Sequence, residues 1–164
     1  MKNIKYIITI LIIAVSGSFA QSWQWVNPLP QGNPLNAVSF INDNTGFAAG
    51  SLGTMLKTTN GGTNWNVVNV NTQRDIWKIF FATLTTVYAS GDSGLVLKST
   101  DLGSTWSQVN INTPRTMRTI QFFDQNTGIA AGASGQMFKT TNGGLYWSSF
   151  NSGTGMDIWT IWFT

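Results

Sequence analysis

The feature that most constrains the fold is an internal repeat of 41 residues. Trp65, Trp106 and Trp147 are each 41 residues apart, and each ends a short polar stretch that begins with a lysine. Phenylalanines, glycines and lysines recur at the same spacing. These aligned positions are Phe40, Phe81 and Phe122; Gly50, Gly91 and Gly132; Gly53, Gly94 and Gly135; and Lys57, Lys98 and Lys139. Such regularity predicts equivalent structural units that bury their apolar faces against one another.

Within each copy, apolar residues alternate with a period of two, which is typical of β-strands. First strands are expected at 38–40, 79–81, 120–122 and 161–163, second strands at 46–49, 86–90 and 128–131, and third strands at 54–58, 95–99 and 136–140. Each tryptophan opens a fourth strand. Four short strands in about 41 residues are the signature of a propeller blade. We therefore expect an all-β fold, a partial β-propeller of about three four-stranded blades plus terminal strands.

The N-terminus has the pattern of a signal peptide. Lys2 and Lys5 precede an apolar run at 6–15, and Ser18 and Ala20 are small residues where a signal peptidase cleaves. The run is shorter than the roughly 20 residues that span a bilayer, so an uncleaved anchor is the less favoured alternative. We expect a signal peptide at 1–20, no membrane span after cleavage, and a secreted or periplasmic chain. The repeats then fill 21–164, with blades at 34–74, 75–115 and 116–156 and a truncated fourth from 157.

Composition excludes several classes of function. Only 9% of residues are charged, compared with roughly 25% in typical soluble domains. Without Lys2 and Lys5, seven basic residues face six aspartates, so the mature chain lacks the basic face that nucleic acid requires. The sequence contains no cysteine and no histidine, which excludes disulfides, thiolate metal sites and Ser/His or Cys/His catalysis. We expect no metal, no cofactor and no catalytic residues.

The stretch before each tryptophan is expected to form a tight hairpin between the third and fourth strands. An Asn or Asp side chain would accept a backbone N–H two residues on, and a glycine would adopt positive φ. The tryptophans would pack between blades, each burying roughly 150–250 Å². The structural residues of the hairpins are Thr58, Asn60, Gly62 and Trp65; Ser99, Asp101, Gly103 and Trp106; and Thr140, Asn142, Gly144 and Trp147.

These hairpins resemble a known motif. The string STDLGSTW, residues 99–106, matches the Asp-box or BNR repeat SxDxGxTW at every specified position. The longer pattern GFAAGSLGTMLKTTNGGTNW resembles repeats of the photosystem II assembly and stability factor family, and the resemblance covers 23–163. It implies a β-propeller that binds a partner protein. Asp-boxes also occur in sialidases and sortilin-type receptors, so the motif specifies the fold more closely than the function.

The ends of the chain do not complete a propeller. Residues 23–26 resemble a fourth strand and 158–163 a first strand, around three complete blades. Propellers close with roughly four to eight blades. Either the sequence is a fragment of a longer protein, which we favour, or several chains assemble into one ring. The open blade faces predict self-association.

The candidate binding residues lie where the copies differ. Arg74 and Arg115 share one repeat position, between a fourth strand and the next first strand, whereas Trp77, Arg118 and Trp159 share another. Both sets are expected to converge near one end of the central channel, and arginine and tryptophan are enriched at binding hot spots. In the family that the sequence resembles, an arginine-rich surface near this region binds a partner protein, and Arg74 and Arg115 match it. The alternative is that the tryptophans pack between blades and the arginines are solvated.

We therefore interpret the chain as a secreted, non-catalytic propeller that binds another protein. The alternative is a carbohydrate-binding or sialidase-like glycosidase module in which Trp77 and Trp159 stack on a glycan. The sequence contains no glutamate, so the Tyr/Glu pair of sialidases cannot form. Asp75 and Asp157 recur before a first strand and are the aspartates that turn geometry explains least readily.

Overall fold

The computed structural model describes residues 32–163. It contains three four-stranded antiparallel sheets, and in each the strands pair in sequence order. This arrangement confirms the partial β-propeller. The predicted signal peptide and the strand-like stretch 23–26 lie outside the described residues. Residues 32–163 include no helix long and apolar enough to cross a membrane.

Each sheet is a meander of four consecutive strands. The first contains β1 (Leu35–Phe40), β2 (Gly46–Gly50), β3 (Met55–Thr58) and β4 (Asn66–Val67). The second contains β5 (Ile76–Phe81), β6 (Val87–Gly91), β7 (Val96–Ser99) and β8 (Ser107–Gln108). The third contains β9 (Met117–Phe122), β10 (Gly128–Gly132), β11 (Met137–Thr140) and β12 (Ser148–Phe150). A short 3-10 turn joins the second strand to the third in every blade: Ser51–Gly53, Asp92–Gly94 and Ala133–Gly135.

The core lies between blades, where each sheet packs on the next. One cluster joins the first blade to the second, with Phe47 and Val70 on one side and Ile79 and Leu97 on the other. A second cluster joins the second blade to the third in the same way. Trp106 packs against the first cluster and Trp147 is buried in the second, as expected of inter-blade plates. Trp65 instead lines a cavity on the first blade, which has no preceding blade among the described residues.

The Asp-box hairpins form nearly the same hydrogen-bond network three times. In the first copy, Thr58 Oγ1 accepts the Gly62 N–H at 2.9 Å, and Asn60 Oδ1 accepts the Asn64 N–H at 2.9 Å. The expectation that Asn60 accepts an N–H two residues on was wrong, because the hairpin places the N–H four residues on against its amide oxygen. Asp101 and Asn142 have the same four-residue spacing. Gly62, Gly103 and Gly144 all have positive φ, as predicted.

The predicted strand at 161–163 is absent. No residue in 158–163 is in a β-strand, because a first strand pairs with the second strand of its own blade and no such strand follows within the described residues. The segment still lies against the third blade. The Ile158 N–H donates to the Gly132 carbonyl at 2.9 Å, and the Phe163 ring stacks on Phe123 with centroids 3.8 Å apart.

Candidate functional site

The antiparallel meander separates two ends of every blade. The turns between strands one and two and the Asp-box hairpins lie at one end. The 3-10 turns and the connections to the next blade lie at the other. All five candidate binding residues lie in the segments at the second end or in the first two residues of the strand that follows such a segment. We call this the arginine end; it contains Arg74, Trp77, Arg115, Arg118 and Trp159.

Arg74 and Arg115 are exposed and occupy equivalent positions at adjacent blade junctions. Arg74 Nη1 donates to the Ser93 carbonyl at 3.4 Å, and Arg115 Nη1 donates to Ser134 Oγ at 2.6 Å. Both acceptors lie in the 3-10 turn of the following blade. The two guanidinium groups are therefore held across successive junctions while much of each side chain remains open to solvent.

Arg118 is enclosed by its neighbours. Its Nη2 lies 3.0 Å from Asp157 Oδ2, and only 19% of its side chain is exposed. Its guanidinium carbon lies 3.8 Å from the centre of the Trp159 ring and 5.8 Å from that of Trp77. The structure thus brings the three equivalent side chains Trp77, Arg118 and Trp159 together, with the arginine between the two tryptophans. Arg118 is committed to internal contacts, unlike Arg74 and Arg115.

Asp157 connects the two groups of candidate residues. Its Oδ1 accepts the Ser134 N–H at 2.9 Å, while Oδ2 binds Arg118. The Ser134 N–H and then Arg118 lower the pKa of Asp157 below its usual value, so this carboxylate remains charged. A continuous network therefore runs from Arg115 through Ser134 and Asp157 to Arg118 and Trp159.

The carboxylates at the other two junctions also stabilise turns. Asp75 Oδ1 accepts the Leu52 N–H at 2.9 Å, and Ser51 Oγ donates to Oδ2 at 3.1 Å. At the next junction the acid lies on the opposite side: Asp92, within the turn, accepts from Thr116 Oγ1 at 2.9 Å and from Trp77 Nε1 at 2.7 Å. Sequence reasoning missed Asp92 because its position does not repeat as an acid. The sequence offered one signal: Thr116 stands at the repeat position that Asp75 and Asp157 occupy in the neighbouring copies, so this junction lacks the aspartate that the other two have.

One side chain stabilises the turn between the first two strands in the first and third blades. Asp124 Oδ1 accepts the N–H groups of Asn126 and Thr127. In the first blade this role belongs to Asn42 rather than to Asp43, because Asn42 is the residue in register with Asp124. Within residues 32–163, no three acidic side chains are grouped as a metal site would require.

Comparisons with known proteins agree with this geometry. A family model described as "Photosynthesis system II assembly factor YCF48" matches residues 15–158. No curated protein sequence matches the chain. Among solved structures, "YCF48 bound to D1 peptide" is similar at a TM-score of 0.67 and 22% identity, covering 74% of this chain and 41% of its own. YCF48 from Cyanidioschyzon merolae is similar at a TM-score of 0.65 and 24% identity, with the same two coverages.

An ancestral GH74 enzyme has the same local fold, with a TM-score of 0.60 and 26% identity over 70% of this chain and 18% of its own. The chain spans less than half the length of both YCF48 structures, and the likeness to them concerns the fold. The family match covers most of the sequence and includes all three blades. The chain therefore belongs to the photosynthesis system II assembly factor YCF48 family.

Proposed function

We propose that this chain is a non-catalytic binding protein whose arginine end holds an extended segment of another protein. The observation that carries the proposal is the pair Arg74 and Arg115, two exposed guanidinium groups in equivalent positions on adjacent junctions. An extended peptide that crosses both junctions would meet the two groups in turn. A guanidinium group pairs with a carboxylate through two parallel hydrogen bonds, so we expect an acidic segment.

The rigidity of the arginine end favours binding. Arg74 and Arg115 each have one Nη already bonded to the next turn, so less side-chain freedom is lost when a ligand binds the remaining donors. Arg118 contributes indirectly: its contacts with Asp157 and Trp159 hold the adjacent surface in place. A structure of YCF48 bound to a D1 peptide supports a peptide as the class of ligand.

A catalytic role is less well supported by the residues at this end. Asp75 and Asp157 accept hydrogen bonds from a turn of the preceding blade, and Asp92 accepts them from Thr116 and Trp77. These bonds explain the positions of the three carboxylates without chemistry. The sequence contains no glutamate to supply a second type of carboxylate. We therefore propose that the chain is not an enzyme, in contrast to the GH74 protein whose fold it shares in part.

The glycan alternative would use the tryptophans as stacking surfaces. Trp159 is 64% exposed, but Arg118 lies 3.8 Å from its ring centre and covers one face. Trp77 is half-buried and its Nε1 is bonded to Asp92. The outer face of Trp159 is therefore the surface that a sugar ring would have to use.

Selection of ligands from a peptide-display library, followed by fluorescence anisotropy with the selected peptide, tests the proposal. Replacing both Arg74 and Arg115 with Ala should weaken binding by about a hundredfold, since a hydrogen bond to a charged group contributes about 1.5 kcal/mol or more. Binding should weaken as salt rises.

Lys139→Ala is the matched control, because it removes an exposed cation remote from the arginine end. At protein concentrations too low for self-association it should leave peptide binding unchanged. Failure to select any peptide, or equal binding by the double arginine variant, would refute the proposal. Binding that survives the arginine changes but is lost with Trp159→Ala and is competed by soluble glycan would support the glycan alternative. Release of reducing sugar from such a glycan would support catalysis.

Two further proposals concern where and with what the chain acts. We propose export, supported by the leader pattern at 1–20, and N-terminal sequencing of the chain recovered outside the cytoplasm would test it.

We also propose that the chain associates with itself through the uncovered faces of its terminal blades.

A further inference from the structure

The first blade exposes a face that its two equivalents bury. Val38 is 66% exposed, whereas the equivalent residues Ile79 and Ile120 are 3% and 0% exposed. The second and third blades are covered at this position by the blade that precedes them. We call the uncovered surface the front face; it consists of Val38, Phe40 and Trp65 and overlies the buried Leu56.

The front face contains an apolar cavity. A cavity of about 340 Å³ opens on it, lined by Leu35, Asn36, Ala37, Val38, Ala48, Leu56 and Trp65. None of these side chains is charged. Apolar surface of this kind on a sheet indicates an interaction site. The equivalent faces of the second and third blades each pack against the opposite face of the blade that precedes them.

A hydrogen bond repeated between blades identifies the missing neighbour more closely. Lys57 Nζ on the first blade donates to the Leu102 carbonyl on the second at 2.6 Å. Lys98 Nζ on the second donates to the Gly143 carbonyl on the third, also at 2.6 Å. The equivalent acceptor on the first blade is the Gly61 carbonyl, and the equivalent donor on the third is Lys139. Neither makes this bond within residues 32–163, where Lys139 is exposed.

The glycine that follows this carbonyl is also left uncovered on the first blade. A Cβ on Gly103 would overlap the Phe47 ring of the first blade, and one on Gly144 would lie 3.1 Å from Tyr88 of the second. A Cβ on Gly62 would meet only Trp65 of its own hairpin, at 3.7 Å. The residue in register with Phe47 and Tyr88 on the third blade is Ile129, an apolar side chain suited to the same place.

We infer that the front face receives the third blade of a second copy of this chain, in the packing that already joins its own successive blades. The surface presented by the copy is its rear face, defined as Ile129, Met137 and Lys139, with Lys139 Nζ bonded to the Gly61 carbonyl. Such head-to-tail pairing is heterologous, and it forms a ring when the rotation closes. Two copies of residues 32–163 supply six four-stranded sheets, within the usual range of roughly four to eight blades.

The segment 158–163 competes with this pairing. It lies beside the third blade where β1 of the second copy would lie, and its contacts include the Phe163 ring on Phe123. Trp159 and Trp162 are exposed, so two of the three aromatic side chains of the segment are not buried against the third blade. We expect Phe163→Ala to strengthen association several-fold.

Mixing two variants, each blocked at one face, tests the pairing by light scattering on the purified chain. Val38→Asp places a charge on the front face, and Met137→Asp places one on the rear face. The wild-type chain should have twice the monomer mass, each variant alone should be monomeric, and their equimolar mixture should form a heterodimer through the two unmodified faces. Circular dichroism of each variant confirms that it is folded.

Several outcomes would overturn the inference. A wild-type chain that remains monomeric at high micromolar concentration overturns it, as does association that Val38→Asp leaves intact. Dimers of Met137→Asp alone would indicate front-to-front pairing instead. If Met137→Asp does not fold, Lys139→Ala replaces it and should weaken association about tenfold. A larger open assembly that Val38→Asp dissolves supports the contact but overturns the closed ring. None of the substituted residues belongs to the arginine end, and measuring peptide binding by the monomeric Val38→Asp variant distinguishes failure of this inference from failure of peptide binding.

Discussion

The two ends of each blade differ in how strictly the repeat is kept. At the Asp-box end, the side chain of Asn60, Asp101 or Asn142 accepts an N–H four residues on at 2.9 Å in every copy. At the arginine end, one repeat position is occupied in turn by Asn36, Trp77, Arg118 and Trp159. Geometry is repeated at one end and chemistry varies at the other.

The difference teaches which constraint acts on each end. Every Asp-box hairpin must reverse the chain in the same space beside a neighbouring blade, so its residues are fixed by backbone conformation and packing. The arginine end needs only a bonded turn at each junction, and different partners achieve this. Asp75 stabilises one turn from the following blade, whereas Asp92 lies within the turn at the next junction. This freedom leaves side chains available for binding.

Two glycines at the Asp-box end provide the largest predicted contrast. Gly103 and Gly62 have φ of 76° and 88°, so alanine is strained at both. At Gly103 the added methyl would also overlap the Phe47 ring. We expect Gly103→Ala to lower the free energy of unfolding by about 2–4 kcal/mol, from backbone strain plus overpacking. Gly62→Ala should cost only about 1 kcal/mol, from strain alone.

Urea unfolding of the monomeric Val38→Asp background would measure both costs without a contribution from association. Equal costs for the two glycines would mean that the first blade does not press on the second hairpin. In that case the regularity of the Asp-box end would reflect the hairpin backbone alone and not the contact between blades.

The acid that stabilises a junction lies on the following blade at one junction (Asp75) and within the turn at the next (Asp92). This difference allows a double-mutant cycle. Thr116→Asp alone sets a second carboxylate beside Asp92 and should destabilise the fold by about 1–2 kcal/mol, because like charges repel. Asp92→Ser alone removes the acceptor used by both Thr116 Oγ1 and Trp77 Nε1 and should cost about 1 kcal/mol or more. The double variant recreates the Ser51 and Asp75 arrangement of the preceding junction.

We expect the double variant to be more stable than either single variant, with a favourable coupling free energy of about 0.5 kcal/mol or more. Thermal unfolding of the four proteins gives this coupling directly. Additive losses would show that the two junctions do not use interchangeable turn partners, and that the arginine end is as constrained as the Asp-box end.

The sequence was sufficient for the fold because the period of two within 41 residues leaves few architectures. The strands, the glycines at positive φ and the convergence of Trp77, Arg118 and Trp159 were all expected from register. The absence of the strand at 161–163 could not be foreseen, since strand pairing depends on a neighbouring strand and not on the segment itself. The role of Asp92 was missed for a related reason: its partners, Trp77 and Thr116, are distant in sequence and differ from those of the other junctions.

Lowering the pH gives the test with the smallest expected effect. It separates the three hairpins because Asp101 is the only carboxylate among the equivalent positions Asn60, Asp101 and Asn142. Hydrogen bonds from the Thr105 N–H and then from the Thr105 and Ser99 hydroxyl groups lower its pKa to about 2. A pKa below the usual value of about 3.9 means that the carboxylate stabilises the folded state above that pH. This contribution is lost as pH falls from about 4 through about 2.

Asp101→Asn gives the second hairpin the amide found in the other two and removes the acceptor for the Thr105 hydroxyl. At pH 7 we expect the variant to melt slightly below the wild-type chain, and the gap should close as pH approaches 2. Asp124 and Asp157 also have lowered pKa values, but they are present in both proteins and cancel in the difference. A gap that stays constant down to pH 2 would show that the charge at Asp101 contributes nothing, and that the three hairpins are energetically as well as geometrically equivalent.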